Sequence, residues 1–169
     1  MRGGGGGTYA IVTSVVYKTH DIAPLSIVGV TVAGISPDIS RRITSQLIAM
    51  VPNLSDMGWG GYGFLMPEVF TFGFFAQNAS AEAANKTLHP FIQFIGSQMA
   101  GNASLRVNVS SFPSFNDYFA FSFNPKTNAE SGHYVGVASR FVYRDMANED
   151  PDKVANILVS LPEDLVGIR

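Results

Sequence analysis

Five consecutive glycines, Gly3–Gly7, stand near the start of the chain and are followed at once by a strand-like segment. Glycine has no side chain, so its main-chain N–H groups can approach a ligand closely. The next segment, Thr8–Lys18, is rich in β-branched residues and alternates as a β-strand does. Because a strand follows the glycines, they form neither a Walker A loop nor a Rossmann fingerprint. Two interpretations stay open: a flexible leader, or bare backbone that lies against a ligand.

Aromatic side chains with a polar end form the second candidate group. The chain has 13 Phe, 6 Tyr and 1 Trp. Most Phe side chains are expected in the core, whereas Tyr and Trp also suit the wall of a wet pocket. Trp59, Tyr62 and Tyr118 are therefore candidate pocket residues. Arg140, in the middle of a predicted strand, is a candidate for orienting a polar substrate, and a structural salt bridge is its alternative.

Other catalytic and metal-binding patterns are missing from the sequence. The chain has no cysteine, which excludes disulfides, thiolate metal sites and a cysteine nucleophile within it. His20, His89 and His133 lie far apart and show no metal-ligand spacing, so no metal is expected. No G-x-S-x-G motif indicates a serine hydrolase. No residue is assigned as catalytic from the sequence.

The charge pattern limits the partners. The formal net charge is -2, and only 14% of residues are charged, against about 25% in an average protein. Without a Lys/Arg cluster, the chain is not expected to bind nucleic acid or an anionic membrane surface. The apolar run Ile22–Ile35 is interrupted by Pro24 and is too short to span a bilayer. A small-molecule substrate is the expected partner, and the oligomeric state stays open.

Hydrophobic periodicity predicts the elements that position these residues. The predicted order is strand–helix–strand–strand–helix–strand after the first strand, with a final helix over Lys153–Leu161. We predict a sheet of the strands Ser26–Ala33, Gly61–Met66, Glu68–Gln77, Ser104–Ser111 and His133–Arg144. Ser36 and Ser80 are predicted to cap the two main helices. The fold class is therefore α+β: an antiparallel sheet with helices packed on one face.

Several local details are also predicted. Pro52–Gly61 is predicted as a loop, and Pro90 is predicted to kink or split the second helix. Phe112–Ser131 is predicted to be irregular. In Ser104–Ser111, the apolar Leu105, Val107 and Val109 are predicted to face inward, while Arg106, Asn108 and Ser110 face outward.

The opening string RGGGGGTYAIVTSVVYKTH resembles the last strand of the PCMH-type flavin domain in FAD-linked oxidases of the vanillyl-alcohol-oxidase and berberine-bridge-enzyme type. Ala10 departs from this pattern, because the family usually has glycine there. The segments Asp56–Leu65, Leu88–Phe91 and Val135–Arg144 resemble the substrate domain of the family, especially of fungal proteins related to isoamyl alcohol oxidase.

This resemblance implies a division of the chain and a cofactor. Residues 1–21 would be the last strand of the flavin domain, and residues 22–169 would be a substrate-binding α+β domain cut short at its C-terminal end. Backbone groups of five residues would help to hold FAD: Gly6, Gly7, Thr8, Ile11 and Val12. The implied reaction is hydride transfer from an alcohol-type or similar substrate to flavin, which O2 reoxidises. The isolated chain is expected to be a fragment without activity.

Five Asn-X-Ser/Thr sequons indicate a secreted glycoprotein, because chance would give far fewer in a chain of this composition. Their asparagines are Asn53, Asn78, Asn85, Asn102 and Asn108. The start of the chain does not have the apolar core of a signal peptide, so the leader is expected to belong to a longer, extracellular parent. The alternative to an oxidase is a non-catalytic, glycosylated α+β binding module that uses the open side of its sheet.

Overall fold

The computed structural model describes residues 11, 13–66, 68–99, 101–122, 141–160 and 167–168. Five strands form one sheet in the spatial order β4-β1-β3-β2-β5. The strands are β1 Leu25–Ala33, β2 Trp59–Met66, β3 Val69–Gln77, β4 Ser104–Phe112 and the two-residue β5 Gly167–Ile168. The helices are α1 Pro37–Asp56, α2 Ala81–Gln98, α3 Phe115–Ser122, α4 Arg144–Glu149 and α5 Pro151–Val159.

All four strand pairings are antiparallel, and β1 lies between β3 and β4. One face of the sheet is covered by α1 and α2, whose apolar sides share a core with the strands. The predicted fold class and the predicted order of elements up to β4 are therefore confirmed. No helix in the described part of the chain combines the length and apolar composition that crossing a bilayer requires.

The core forms where period-2 strands meet period-3.6 helices. Val28, Val30 and Val32 of β1 are fully buried beside alternate phenylalanines of β3. Ile43 and Leu47 supply the apolar side of α1. The valines of β1 and the alternate phenylalanines of β3 lie on one face of the sheet, because successive side chains of a strand point to opposite sides.

The predicted helix starts are confirmed. The Ser36 hydroxyl accepts a hydrogen bond from the Ile39 N–H at 3.3 Å, and that of Ser80 accepts one from the Ala83 N–H at 3.1 Å. Asp150 likewise caps α5 by accepting from the Lys153 N–H at 2.9 Å. These side chains satisfy N–H groups that the first helical turn leaves without a partner.

The predicted loop Pro52–Gly61 is wrong at both ends, because α1 continues through Pro52 to Asp56 and β2 begins at Trp59. Proline removes one backbone hydrogen bond from a helix, but here Pro52 and Leu54 are buried, and this burial favours continuation. The chain turns instead at Gly58, whose φ of 79° suits glycine. Pro90 does not split α2, which is one helix over Ala81–Gln98.

The second half of the chain departs further from the predictions. Within the predicted irregular segment, Phe115–Ser122 forms α3, and the Ser114 hydroxyl accepts from the Asp117 N–H at 3.2 Å. Val107, predicted to face inward, pairs with the buried Val30 but is 38% exposed, because β4 is the edge strand and has no neighbouring strand on its other side. The predicted strand 133–144 is wrong where it is described: residues 141–143 have no regular structure and Arg144 begins α4. The rest of that strand lies outside the described residues.

The helices α4 and α5 dock on the outer side of α1. Ala147 and Val154 form a small buried cluster with Ile48. The Arg144 guanidinium donates two hydrogen bonds to the Asp56 carboxylate, at 2.9 and 2.7 Å. This contact lowers the pKa of Asp56 below its usual value and ties α4 to the end of α1.

Candidate functional site

The sheet face opposite α1 and α2, here called the open face, carries the candidate pocket residues. It is formed by alternate residues of β1, β2, β3 and β4 that are out of phase with the buried core residues. Partners in register project to the same side of an antiparallel sheet. The open face can therefore be read as rows of side chains that run across the four strands.

The central row combines an aromatic ring, bare backbone and an amide. Tyr62 pairs with Gly73, Gly73 pairs with Gly29, and Gly29 pairs with Asn108. A Cβ atom on Gly29 would lie 4.0 Å from its nearest neighbour, the Asn108 carbonyl oxygen, and one on Gly73 would lie 3.3 Å from the Phe75 ring. The two glycines are here called the glycine floor: a planar group can approach the backbone at Gly29, whereas the Phe75 ring already lies over Gly73.

The next row is more polar. Phe64, Thr71, Thr31 and Arg106 are in register across the same four strands. The hydroxyl groups of Thr31 and Thr71 lie 3.2 Å apart and are hydrogen-bonded to each other. The glycine floor is thus bordered by a hydroxyl pair on one side, so that a ligand would meet both apolar and hydrogen-bonding groups there.

An aromatic cluster covers one end of the open face and connects the sheet to α3. The Tyr62 and Phe75 rings are stacked with their centroids 5.6 Å apart, and Phe75 meets Tyr118 edge-on at 5.5 Å. Tyr118 also packs against Phe112 at 5.5 Å. Phe115 and Tyr118 of α3 are in contact at 5.9 Å. These contacts hold α3 against the open face, and the cluster remains partly exposed to solvent.

A hydrogen bond joins the Tyr62 and Tyr118 side chains, which are 56 positions apart in the sequence. This bond, together with partial burial, raises the pKa of Tyr62 above its ordinary value of 10.0. The Tyr62 phenol therefore stays neutral at physiological pH, and the hydroxyl groups of both tyrosines can donate or accept hydrogen bonds toward a ligand. Two of the predicted pocket residues are thus brought together by the fold.

Replacing Tyr118 by phenylalanine is expected to lower the pKa of Tyr62 toward 10.0, because the hydrogen bond is the largest cause of the upward shift. A raised pKa in the folded state means that this contribution to stability is complete below the ordinary pKa and is lost as the pH rises through the folded pKa. Titration of tyrosine Cζ signals by NMR measures the change. Tyr17→Phe, at a side chain 80% exposed, is the matched control and should leave the Tyr62 titration unchanged.

Other predicted site residues lie elsewhere. Trp59 is only 9% exposed and belongs to the core on the helix-covered side, so it does not line the open face with Tyr62. Its register partner, Ala76, is buried in the same core. The reason is parity: Trp59 and Tyr62 are an odd number of positions apart on one strand and point to opposite faces. Arg140 lies outside the described residues.

The predicted cofactor-binding segment is described only in part. Gly6, Gly7, Thr8 and Val12 lie outside the described residues. Ile11 is 91% exposed, and residues 11 and 13–18 form no strand, unlike the prediction for Thr8–Lys18. A β-strand requires a hydrogen-bonded neighbour, and no described strand lies beside this segment. The assignment of residues 1–21 to a flavin domain stays a prediction.

The sequence patterns did not predict two members of the site. Phe75 and Phe112 join the Tyr62 and Tyr118 rings across the open face. The alternation within β3 contained a signal for Phe75, because this residue is out of phase with Phe70, Phe72 and Phe74 of the core. Among the described side chains, no group of three His, Cys, Asp or Glu residues could hold a metal ion.

Comparison with known proteins gives the chain a family context, although no family model matches it. It is 29% identical over 168 residues to an "Uncharacterized FAD-linked oxidoreductase" of Arthroderma benhamiae, covering 96% of this chain and 29% of that protein. A second A. benhamiae protein with the same description is 30% identical over 175 residues, covering 95% of this chain and 29% of that protein. The chain thus spans less than a third of the length of these curated relatives.

A solved structure shows the same fold. The VAO-type flavoprotein MtVAO615 from Myceliophthora thermophila C1 superimposes with a TM-score of 0.65 at 14% identity, over 83% of this chain and 26% of that one. At this level of identity, the likeness concerns the fold alone. The sequence relatives show that the chain is related to one segment of FAD-linked oxidoreductases, and the superposition shows that it shares the fold of a segment of a VAO-type flavoprotein. The narrower resemblance to isoamyl alcohol oxidases stays a prediction.

Proposed function

Since the chain is related along nearly its whole length to one segment of FAD-linked oxidoreductases, we propose that it is the substrate-binding segment of an FAD-dependent oxidoreductase. The substrate is an alcohol-type or similar small organic molecule. When bound, FAD would supply the acceptor for a hydride from the substrate carbon and would pass the two electrons to O2, which becomes hydrogen peroxide. The oxidoreductase class rests on the relatives, whereas the alcohol substrate and the use of O2 are the finer part of the proposal.

The observation that carries this proposal is the open face. Within its glycine floor, the backbone at Gly29 leaves room for a planar ring, because an added Cβ there would be 4.0 Å from its nearest neighbour, whereas the Phe75 ring already lies over Gly73. This fits the flat ring system of a flavin or of a substrate placed against it. The aromatic cluster would exclude water from such a site, which strengthens electrostatic contacts inside it.

The polar groups of the open face would orient the substrate. The hydrogen-bonded Tyr62 and Tyr118 hydroxyls can bind its oxygen atom, and the Thr31–Thr71 hydroxyl pair offers a second polar contact. The nucleotide part of FAD would be held by the backbone of Gly6, Gly7, Thr8, Ile11 and Val12, as the resemblance implies. Because the chain covers 29% of its relatives, we expect it to show no turnover by itself.

The proposed enzyme is extracellular and glycosylated. The supporting observation is that the asparagines of all five sequons are exposed. Asn53 and Asn85 lie on the helix layer, Asn78 and Asn102 lie in turns, and Asn108 lies on the edge strand β4 in the central row of the open face, where a glycan would compete with the proposed ligand. None of these positions requires rearrangement of the core to accept a glycan.

The test is purification of the complete gene product that contains this segment. We expect it to show the visible absorbance bands of bound flavin, to bleach when an alcohol substrate is added without oxygen, and to release peroxide when O2 returns. A complete product without flavin would contradict the proposal. In that case the non-catalytic, glycosylated binding module would account better for the exposed aromatic cluster. Flavin without bleaching by alcohols would reject only the substrate class.

A further inference from the structure

A shallow groove lies between α1 and α2 on the side of the molecule away from the open face. Its volume is about 200 Å3, and its wall is mainly apolar: Met50, Leu54, Met57, Pro90 and Phe91. Binding sites for drug-sized molecules usually measure about 300–1,000 Å3, so the groove suits a group no larger than a single small ring. Met57 at its rim is 58% exposed, which leaves an apolar side chain in contact with solvent.

The wall of this groove contains a glycosylation sequon. Asn53, in the sequon Asn53-Leu54-Ser55, is exposed and lines the groove. Met57 follows four positions later, so both residues lie on the same side of the end of α1. The hydroxyl residue of a second sequon, Thr87, lines the opposite wall on α2.

Resting on the proposed extracellular and glycosylated enzyme, we propose that Asn53 carries an N-linked glycan whose first sugar ring occupies this groove and covers Met57. In the transfer, a bond forms between Asn53 Nδ2 and the anomeric carbon of the sugar. The bond from that carbon to the pyrophosphate of a lipid-linked oligosaccharide donor breaks, and the amide gives up one proton as the lipid pyrophosphate leaves.

The size and the apolar wall of the groove indicate that a sugar ring would occupy it. A pyranose ring has apolar C–H faces, which can pack against methionine and proline, and a polar rim, which stays in water. The groove is open and small, so a free ligand of that size would gain little affinity after losing its translational freedom. A covalently attached sugar avoids this cost, because its effective concentration at the groove is high.

Oxidation of Met57 tests the proposal in the full chain secreted from a fungal host. Exposed methionines react with peroxide according to their accessibility. We expect the glycan on Asn53, detected by mass spectrometry of its peptide, to slow oxidation of Met57 by about threefold or more relative to deglycosylated protein. Met66 on the open face, 46% exposed, is the internal control whose rate should not change.

Two variants remove the glycan in different ways. Asn53→Gln removes the attachment atom, and Ser55→Ala keeps Asn53 while it destroys the sequon, so agreement between them excludes an effect of the asparagine side chain. Enzymatic deglycosylation of the folded wild-type protein gives the same comparison without any substitution. Asn102→Gln, which removes a sequon in a turn, is the matched control and should leave Met57 protected. A secreted protein without glycan at Asn53, or one whose Met57 oxidises equally fast with and without it, would overturn the proposal.

Discussion

Substitution of Gly63 by alanine is expected to lower the free energy of unfolding by about 3 kcal/mol, the upper range for overpacking a core. Gly63 lies in β2 on the helix-covered side of the sheet, directly opposite Phe72 of β3. An added Cβ would overlap the Thr71 carbonyl oxygen and the Phe72 ring, and would come within 2.9 Å of the Phe72 Cα. Two of these three contacts are backbone atoms of a paired strand, so they cannot move without disturbing the sheet.

The Phe72 ring also explains why the same strand has a second glycine, Gly61. A Cβ on Gly61 would lie 2.5 Å from the Gly73 carbonyl oxygen and 2.6 Å from the Phe72 Cε1 atom. The Phe72 ring therefore lies directly over the β2 backbone, where only glycine leaves enough room. Because Phe72 is 6% exposed and surrounded by core residues, it has no other position to adopt without further loss of packing.

Urea unfolding followed by Trp59 fluorescence measures this effect, since Trp59 is buried and is the single tryptophan of the chain. The matched control is Gly60→Ala in the same strand, where an added Cβ meets nothing within 4 Å. We expect the control to change stability by no more than about 0.5 kcal/mol. Equal losses in the two variants would show that β2 requires glycine for its backbone conformation and not for space.

Substitution of Phe91 by alanine is expected to lower the free energy of unfolding by about 4 kcal/mol, as for other large aromatic residues removed from a core. Phe91 is 1% exposed and inserts from α2 into the sheet. Its ring meets Phe74 edge-on at 5.9 Å and Phe70 at 6.4 Å. The substitution therefore leaves a cavity at the point where α2 contacts the centre of the sheet, and it removes two favourable ring contacts.

The control for Phe91 is Phe121→Ala, which removes the same side chain from a site that is 78% exposed. Phe121 contacts Phe112 at 5.5 Å, so we expect a loss of about 1 kcal/mol or less. Chemical denaturation of both variants gives the comparison. A Phe91 variant as stable as the Phe121 variant would mean that α2 can collapse onto the sheet and fill the space.

Local sequence signals were sufficient for the first part of the fold. Valines alternate in Leu25–Ala33 and phenylalanines alternate in Val69–Gln77, and this pattern predicts strands with one buried face. Ser36 and Ser80 each begin a helix, because their hydroxyl groups accept a hydrogen bond from a backbone N–H three positions later. Such signals depend only on residues a few positions apart, so they can be recognised in the sequence without the tertiary structure. The continuation of α1 past Pro52 was missed, because burial of Pro52 and Leu54 against distant elements outweighs a local helix breaker.

The sequence by itself determined the element order from β1 to β4, the antiparallel α+β class and the aromatic residue types available for a pocket. Only the tertiary structure decided which of them meet. Strand register places Trp59 in the core and Tyr62 on the open face. Docking of α3 brings Tyr118 within hydrogen-bonding distance of Tyr62, although the two residues are 56 positions apart in the chain. Register and docking are set by packing between elements remote in sequence, and no local pattern encodes that geometry.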